Sequence, residues 1–153
     1  MNIRGFTLLM TLLYITATLS IGLGVGLLVM GELGLSGTGR ESQRAFYAAD
    51  FGAECALYWD LNGHKFPYNN NDALSDVSIN DGCGGTGFIA VESSPNTYTF
   101  SVFMENSACA NVTVQKLPQN QAIFVARGYN QSDGSMCPAP GGRTFERGLQ
   151  ITY

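Results

Sequence analysis

From Phe6 to Gly31 the chain carries no charged residue. As a helix rising 1.5 Å per residue this run is roughly 39 Å long, against about 30 Å for the hydrocarbon core of a bilayer. A segment of that length spans a membrane, and the rest of the chain has to be read around it. Arg4 stands on one side and the first charge on the other is Glu32. Basic residues favour the cytoplasmic side, so the short N-terminus is expected inside and everything after Gly31 outside. A cleavable secretory signal would have a shorter apolar core followed closely by small residues. Gly37 and Gly39 are available for that, but Glu32 intervenes.

The cysteines agree with this topology. Cys55, Cys83, Cys109 and Cys137 are widely spaced, form no CxxC pair and have a single histidine, His64, to complete a metal site. Disulfides are therefore expected rather than zinc, and disulfides persist in an oxidising compartment outside the cytoplasm. A chain of 153 residues leaves room for one domain after the anchor. Only 13% of residues are charged and the net charge is -4. With the basic residues scattered, a nucleic-acid-binding surface is not expected.

Within the apolar run, Thr7, Thr11, Thr16, Thr18 and Ser20 are polar, and Gly22, Gly24 and Gly26 weaken a helix. Lipid cannot satisfy a freed carbonyl, whereas neighbouring helices or hydroxyls can. Two readings follow: a tilted single anchor, or a helix that packs among others and loosens at Gly22 to Gly26. Gly31, Gly34, Gly37 and Gly39 each cost about 0.8–1 kcal/mol relative to Ala, which predicts a bent or frayed stretch there. Helix signal resumes at Arg40. Ala45, Ala49, Gly52, Ala53, Ala56, Trp59 and Asp60 recur at helical spacing, with Phe46 and Leu57 beside them. A sheet can pack closely on such a stripe of small residues, or a second subunit can.

Residues 62–85 are rich in Asn, Asp, Ser and Gly and read as a long loop. Asn69 to Asp72, Asp76, Asn80 and Asp81 offer oxygen ligands for calcium but lack the alternation of an EF-hand loop, so the plain reading is a solvated loop. Five runs of strand character follow: Thr86 to Glu92, Thr97 to Glu105, Ala110 to Lys116, Gln121 to Tyr129 and Arg143 to Tyr153. Short connections favour hairpins, with Phe100, Val102, Val112, Val114, Ile123, Val125, Leu149 and Ile151 expected to face the helix. The expected fold is α+β: a long N-terminal helix, half transmembrane and half amphipathic, packed on an antiparallel sheet of about four to five strands. A hairpin around Pro118 to Asn120 brings Cys109 within reach of Cys137, leaving Cys55 for Cys83, although four cysteines allow three pairings.

Nothing in the sequence reads as an active site. His64 sits alone in a Gly/Asn-rich setting, and there is no nucleophile elbow, HExxH, GxGxxG or P-loop. Arg127, Arg143 and Arg147 near Glu146 have the scatter of a solvated face. No enzymatic activity, cofactor, metal or small-molecule substrate is expected.

The stretch RGFTLLM, Arg4 to Met10, resembles the class III-type cleavage region of type IV pilins and pseudopilins. In that family a prepilin peptidase cuts after the Gly and methylates the new N-terminus, which implies Gly5 as the last leader residue and Phe6 as the first mature one. The family usually has Glu at the fifth mature position, where this chain has Met10. A carboxylate in hydrocarbon is tolerable only beside a partner amine, so its absence suits a subunit with no neighbour ahead of it. A second stretch, ESQRAFYAADFGAECALYWD from Glu41 to Asp60, is similar to the membrane-distal half of the long pilin helix.

The resemblance reaches from Arg4 to Asp60. It implies a leader (1–5), a transmembrane and filament-core helix (6–31), a membrane-distal helix (32–61) and a disulfide-bonded, β-rich head (62–153). It also implies a non-enzymatic minor or tip pilus subunit that resides first in the inner membrane and then in a cell-surface filament. Met10, Gly22, Gly24 and Gly26 would lie on the assembly helix. The partners implied are other pilin subunits, the prepilin peptidase, the inner-membrane assembly platform and membrane lipid. The alternatives are a pseudopilin of a type II secretion or DNA-uptake machine, and an uncleaved membrane-anchored extracellular binding domain.

Overall fold

A computed structural model describes residues 3–68, 77–80, 82–83 and 88–153. Helix α1 (Ile3–Leu61) is followed by β1 (Val77–Ile79), β2 (Phe88–Ser94), β3 (Thr97–Phe103), β4 (Cys109–Lys116), β5 (Ala122–Tyr129) and β6 (Glu146–Thr152). The chain divides into two units, Met1–Gly39 and Arg40–Tyr153. In the first, α1 runs through Gly31, Gly34, Gly37 and Gly39 without interruption, so the expected fraying is absent. Helix propagation is cooperative, and a ladder continuous on both sides carries isolated glycines through.

In the second unit six strands form one sheet in the order β1-β2-β3-β4-β5-β6, each antiparallel to the next. Cross-strand register lines up three rows toward the C-terminal half of α1. Tyr98, Val114, Phe124 and Ile151 form one, Phe100, Val112, Ala126 and Leu149 the next, and Val102, Ala110 and Gly128 the third. Against these rows α1 buries Ala45, Ala48, Ala49, Ala53 and Ala56. Phe66 and Phe88 both stack on Phe100 of the second row, with Phe88 and Phe100 centroids 4.2 Å apart.

The core tapers, because the first row carries Tyr98 and Phe124 and the third ends in glycine. A Cβ at Gly128 would collide with the Ala45 carbonyl oxygen and the Ala49 nitrogen. One at Gly52 would lie 2.8 Å from the Ala110 Cβ. The small-residue stripe is thus occupied by the chain's own sheet, which is how helix and sheet come this close.

Two expectations need correction. On β5 the inward residues are Ala122, Phe124, Ala126 and Gly128, while Ile123 and Val125 are only partly buried and belong to the opposite face. A one-residue error in strand phase exchanges the faces completely, and here the β-branched pair drew the wrong choice because the true core face is built small for the helix. The long loop, for its part, contains β1, which pairs with β2 through Val77↔Ala90 and Ile79↔Phe88. The sheet therefore has six strands rather than four or five. Cys55 on α1 bonds Cys83, and Cys109 at the start of β4 bonds Cys137.

Candidate functional site

The first unit is an apolar surface. Between Phe6 and Leu35 the large hydrophobic side chains of α1 are exposed, Phe6 at 63% and Met10 at 47%. This part of α1 is long and apolar enough to cross a membrane and is not buried within the chain. The hydroxyls on it turn inward to the helix itself. Thr11 donates to Leu8 O at 3.0 Å, Thr16 to Leu12 O at 3.0 Å, Thr18 to Tyr14 O at 2.9 Å and Ser20 to Thr16 O at 2.8 Å. Such bonds leave the helix compatible with hydrocarbon without a neighbour, so the hydroxyls give no argument for assembly.

The glycines do. Cβ atoms built at Gly22, Gly24 and Gly26 meet nothing within 4 Å. No packing among the described residues explains their cost of about 0.8–1 kcal/mol each relative to Ala. Gly22 and Gly26 fall four residues apart on one helix face, the spacing at which small residues let two membrane helices approach closely. Gly5, Phe6 and Met10 lie at the beginning of the same helix.

In the head, sequence reading missed a buried charge cluster. Asp60, in the last turn of α1, accepts from Lys116 Nζ at 3.0 Å on Oδ1 and 2.8 Å on Oδ2. Their side chains are only 2% and 4% exposed. The Tyr153 hydroxyl donates to the same carboxylate. Burial first, and then the Asp60 carboxylate, push the Tyr153 hydroxyl well above its ordinary value. A signal for the pair was present: Lys116 continues the inward alternation of Val112 and Val114, and Asp60 lies one turn beyond Ala56 on the buried stripe. An ion pair taken out of water loses several kcal/mol of solvation per charge, which only close geometry offsets.

A second cluster ties the loop after β5 and the start of β6 to α1 at Glu41 and Ser42. Asn130, 1% exposed, donates through Nδ2 to Glu41 Oε2 at 2.9 Å and accepts from Phe145 N at 2.7 Å. Arg147 Nε donates to Ser42 Oγ at 2.8 Å. On the sheet face away from α1, Asn111 donates to Cys137 O at 2.8 Å. There the Cys137 loop borders a cleft of about 930 Å³ lined by Ile89, Val91, Ser101, Phe103, Asn111 and Thr113. Within that loop the exposed Asp133 carboxyl is held below its usual value by backbone N–H bonds from Met136 and Ser135.

The remaining candidates are not brought together. Arg127 and Glu146 stand 3.9 Å apart and exposed, a weak surface pair. Arg143 contributes its carbonyl to Asn130. His64 is exposed, with φ 45°, on the rim of a separate cleft beside Asp60. Of the calcium candidates, Asn80 is an exposed turn residue and the others lie outside the described residues. Among the described residues no group of three or more His, Cys, Asp or Glu side chains is placed to hold a metal ion.

No protein-family model, curated protein or solved structure matches the chain. What the molecule itself displays is a pilin-like architecture, a long N-terminal helix with an apolar first half and a second half packed on an antiparallel sheet stapled by two disulfides.

Proposed function

We propose that the chain is a non-enzymatic subunit of a type IV pilus-class filament, in a minor or tip position, assembled through α1. The observation that supports this reading is the division of labour along that helix. Its second half buries a stripe of small residues against its own sheet, while its first half exposes apolar side chains from Phe6 to Leu35 to whatever surrounds it. Lipid fills that role first. Neighbouring subunit helices of similar apolarity can replace lipid with little change in solvation, and Gly22 and Gly26 allow the close approach that makes the exchange favourable. Cleavage between Gly5 and Phe6 by a prepilin peptidase and hand-over at the assembly platform complete the scheme, and Met10 in place of an acid suits a leading position.

The internally bonded hydroxyls favour a second reading, an uncleaved anchor carrying a binding domain, because they let the helix stand alone in lipid. Fractionation distinguishes the two. In cells that assemble the filament, the protein is expected in the sheared surface fraction, and the Gly22→Leu/Gly26→Leu variant is expected to stay in the membrane at an unchanged level. Wild-type protein retained wholly in the membrane fraction would contradict the filament reading.

A further inference from the structure

Asp60, Lys116 and Tyr153 reach one another from three elements. Asp60 ends α1, Lys116 ends β4, and Tyr153 follows β6, where its backbone pairs with Ala122 at 3.0 and 3.2 Å. The Tyr153 ring stacks on Phe124, and the Lys116 ammonium sits 5.9 Å from its centroid. Lys116 Nζ touches both oxygens of Asp60, at 2.8 and 3.0 Å, and the Tyr153 hydroxyl donates to Oδ2. An amine and a carboxyl group are therefore fixed in contact where water has little access, with side chains only 4% and 2% exposed, and a proton carrier reaches them from the more exposed Tyr153, the arrangement in which intramolecular condensation outruns its reverse.

We propose that Lys116 and Asp60 become joined by an intramolecular amide bond, with Tyr153 carrying protons for the reaction. A proton first passes from the ammonium to the carboxylate, giving a neutral amine and a carboxylic acid. The nitrogen lone pair attacks Asp60 Cγ, the carbon–nitrogen bond forms, and the carbonyl electron pair moves onto oxygen. The Tyr153 hydroxyl gives its proton to the departing Oδ2 and recovers one from the nitrogen. The carbon–oxygen bond then breaks and one water leaves. Acid and amine become amide and water, Tyr153 ends unchanged, and no oxidant or activating co-substrate is required.

Two observations fit these roles. Burial and the neighbouring carboxylate keep the Tyr153 hydroxyl protonated, as a donor must be. A cleft of about 280 Å³, lined by Asp60, His64, Phe66, Tyr68, Lys116 and Tyr153, adjoins the pair and gives the departing water a way out. The bond would tie the end of α1 to the middle of the sheet whether or not the chain assembles into filaments.

The test is intact mass and tryptic mapping of the full chain, purified in detergent from a host without prepilin peptidase. Reduction and alkylation come first, because Cys55–Cys83 links the same two peptides. The expected mass is one water below that of the reduced, alkylated sequence. Trypsin is expected not to cut after Lys116, and residues 66–127 should be recovered joined to residues 45–65. Lys116→Arg and Asp60→Ala should restore both the water and the separate peptides, and Tyr153→Phe should leave a mixture in which the unlinked form is enriched. A wild-type chain at full sequence mass that is cut cleanly after Lys116 would overturn the proposal. So would loss of water with the two peptides separate, since that marks cyclisation of an aspartate instead.

Discussion

Gly128 shows most directly what a single residue contributes to this fold. Any side chain there runs into backbone atoms of α1 at Ala45 and Ala49. Gly128→Ala is therefore expected to cost about 3 kcal/mol or more, the upper part of the range for overpacking, because the obstacle is helix backbone rather than a flexible side chain. Gly148→Ala is the matched control, since its Cβ would meet only the Ala126 oxygen at 3.9 Å. It should change stability by less than about 0.5 kcal/mol in the same denaturation experiment. Tyrosine ionisation gives a second prediction. Tyr153 and Tyr129 both have hydroxyls raised above the ordinary 10.0, each by burial first, then by the carboxylate of Asp60 while it is unlinked and by Glu146 respectively. The folded state thus holds these protons more tightly than the unfolded state. The resulting stability is complete below about pH 10 and is lost as pH rises from there through the folded-state values. Thermal melts across that range should fall on the alkaline side, and Tyr153→Phe should flatten the fall.

Among the elements, α1 was legible apart from its continuity through Gly31 to Gly39, and β5 was legible as a strand but not in its buried face. The charge-free run and the alanine spacing both follow from simple periodicity, and they marked the exposed and buried halves of one helix. On β5, Ile123 and Val125 drew the choice although Phe124 and the charged Arg127 pointed to the other phase. The deciding factor was steric and lay on another element, in how near α1 comes to the sheet. Lys116 was legible in principle from the inward parity of β4, and Asn130 from continuing that of β5 one residue past its end, but a polar residue on a core face is ordinarily read as a strand end. The disulfides act on the same scale. Each closes a sequence separation of 28 residues, a loop that by chain entropy contributes about 3–4 kcal/mol. Replacing Cys55 and Cys83 together with Ser should lower stability by about that amount in urea titration, and should loosen the β1–β2 edge before the β3–β6 core, as protection from hydrogen exchange would report. Simultaneous loss of protection across the whole sheet would contradict that order.

On the scale of the whole molecule, the α+β class and the antiparallel topology followed from one helix signal and a series of short strands with tight connections. The three-residue β1 did not, because Val77–Ile79 lies in a polar, turn-rich stretch and is recruited only by pairing with β2. The pilin-like architecture was legible chiefly at the N-terminus, where physical constraint is severe: an apolar helix exposed to its surroundings must be covered by lipid or by other helices. The central claim is that this helix is processed and transferred from one covering to the other. N-terminal sequencing with intact mass, on protein produced with and without prepilin peptidase, tests it most directly. A mature chain starting at Phe6 with a methylated amine is expected only when the peptidase is present. A chain that keeps Met1 to Gly5 under both conditions would contradict the claim, and would leave a static membrane anchor carrying the head.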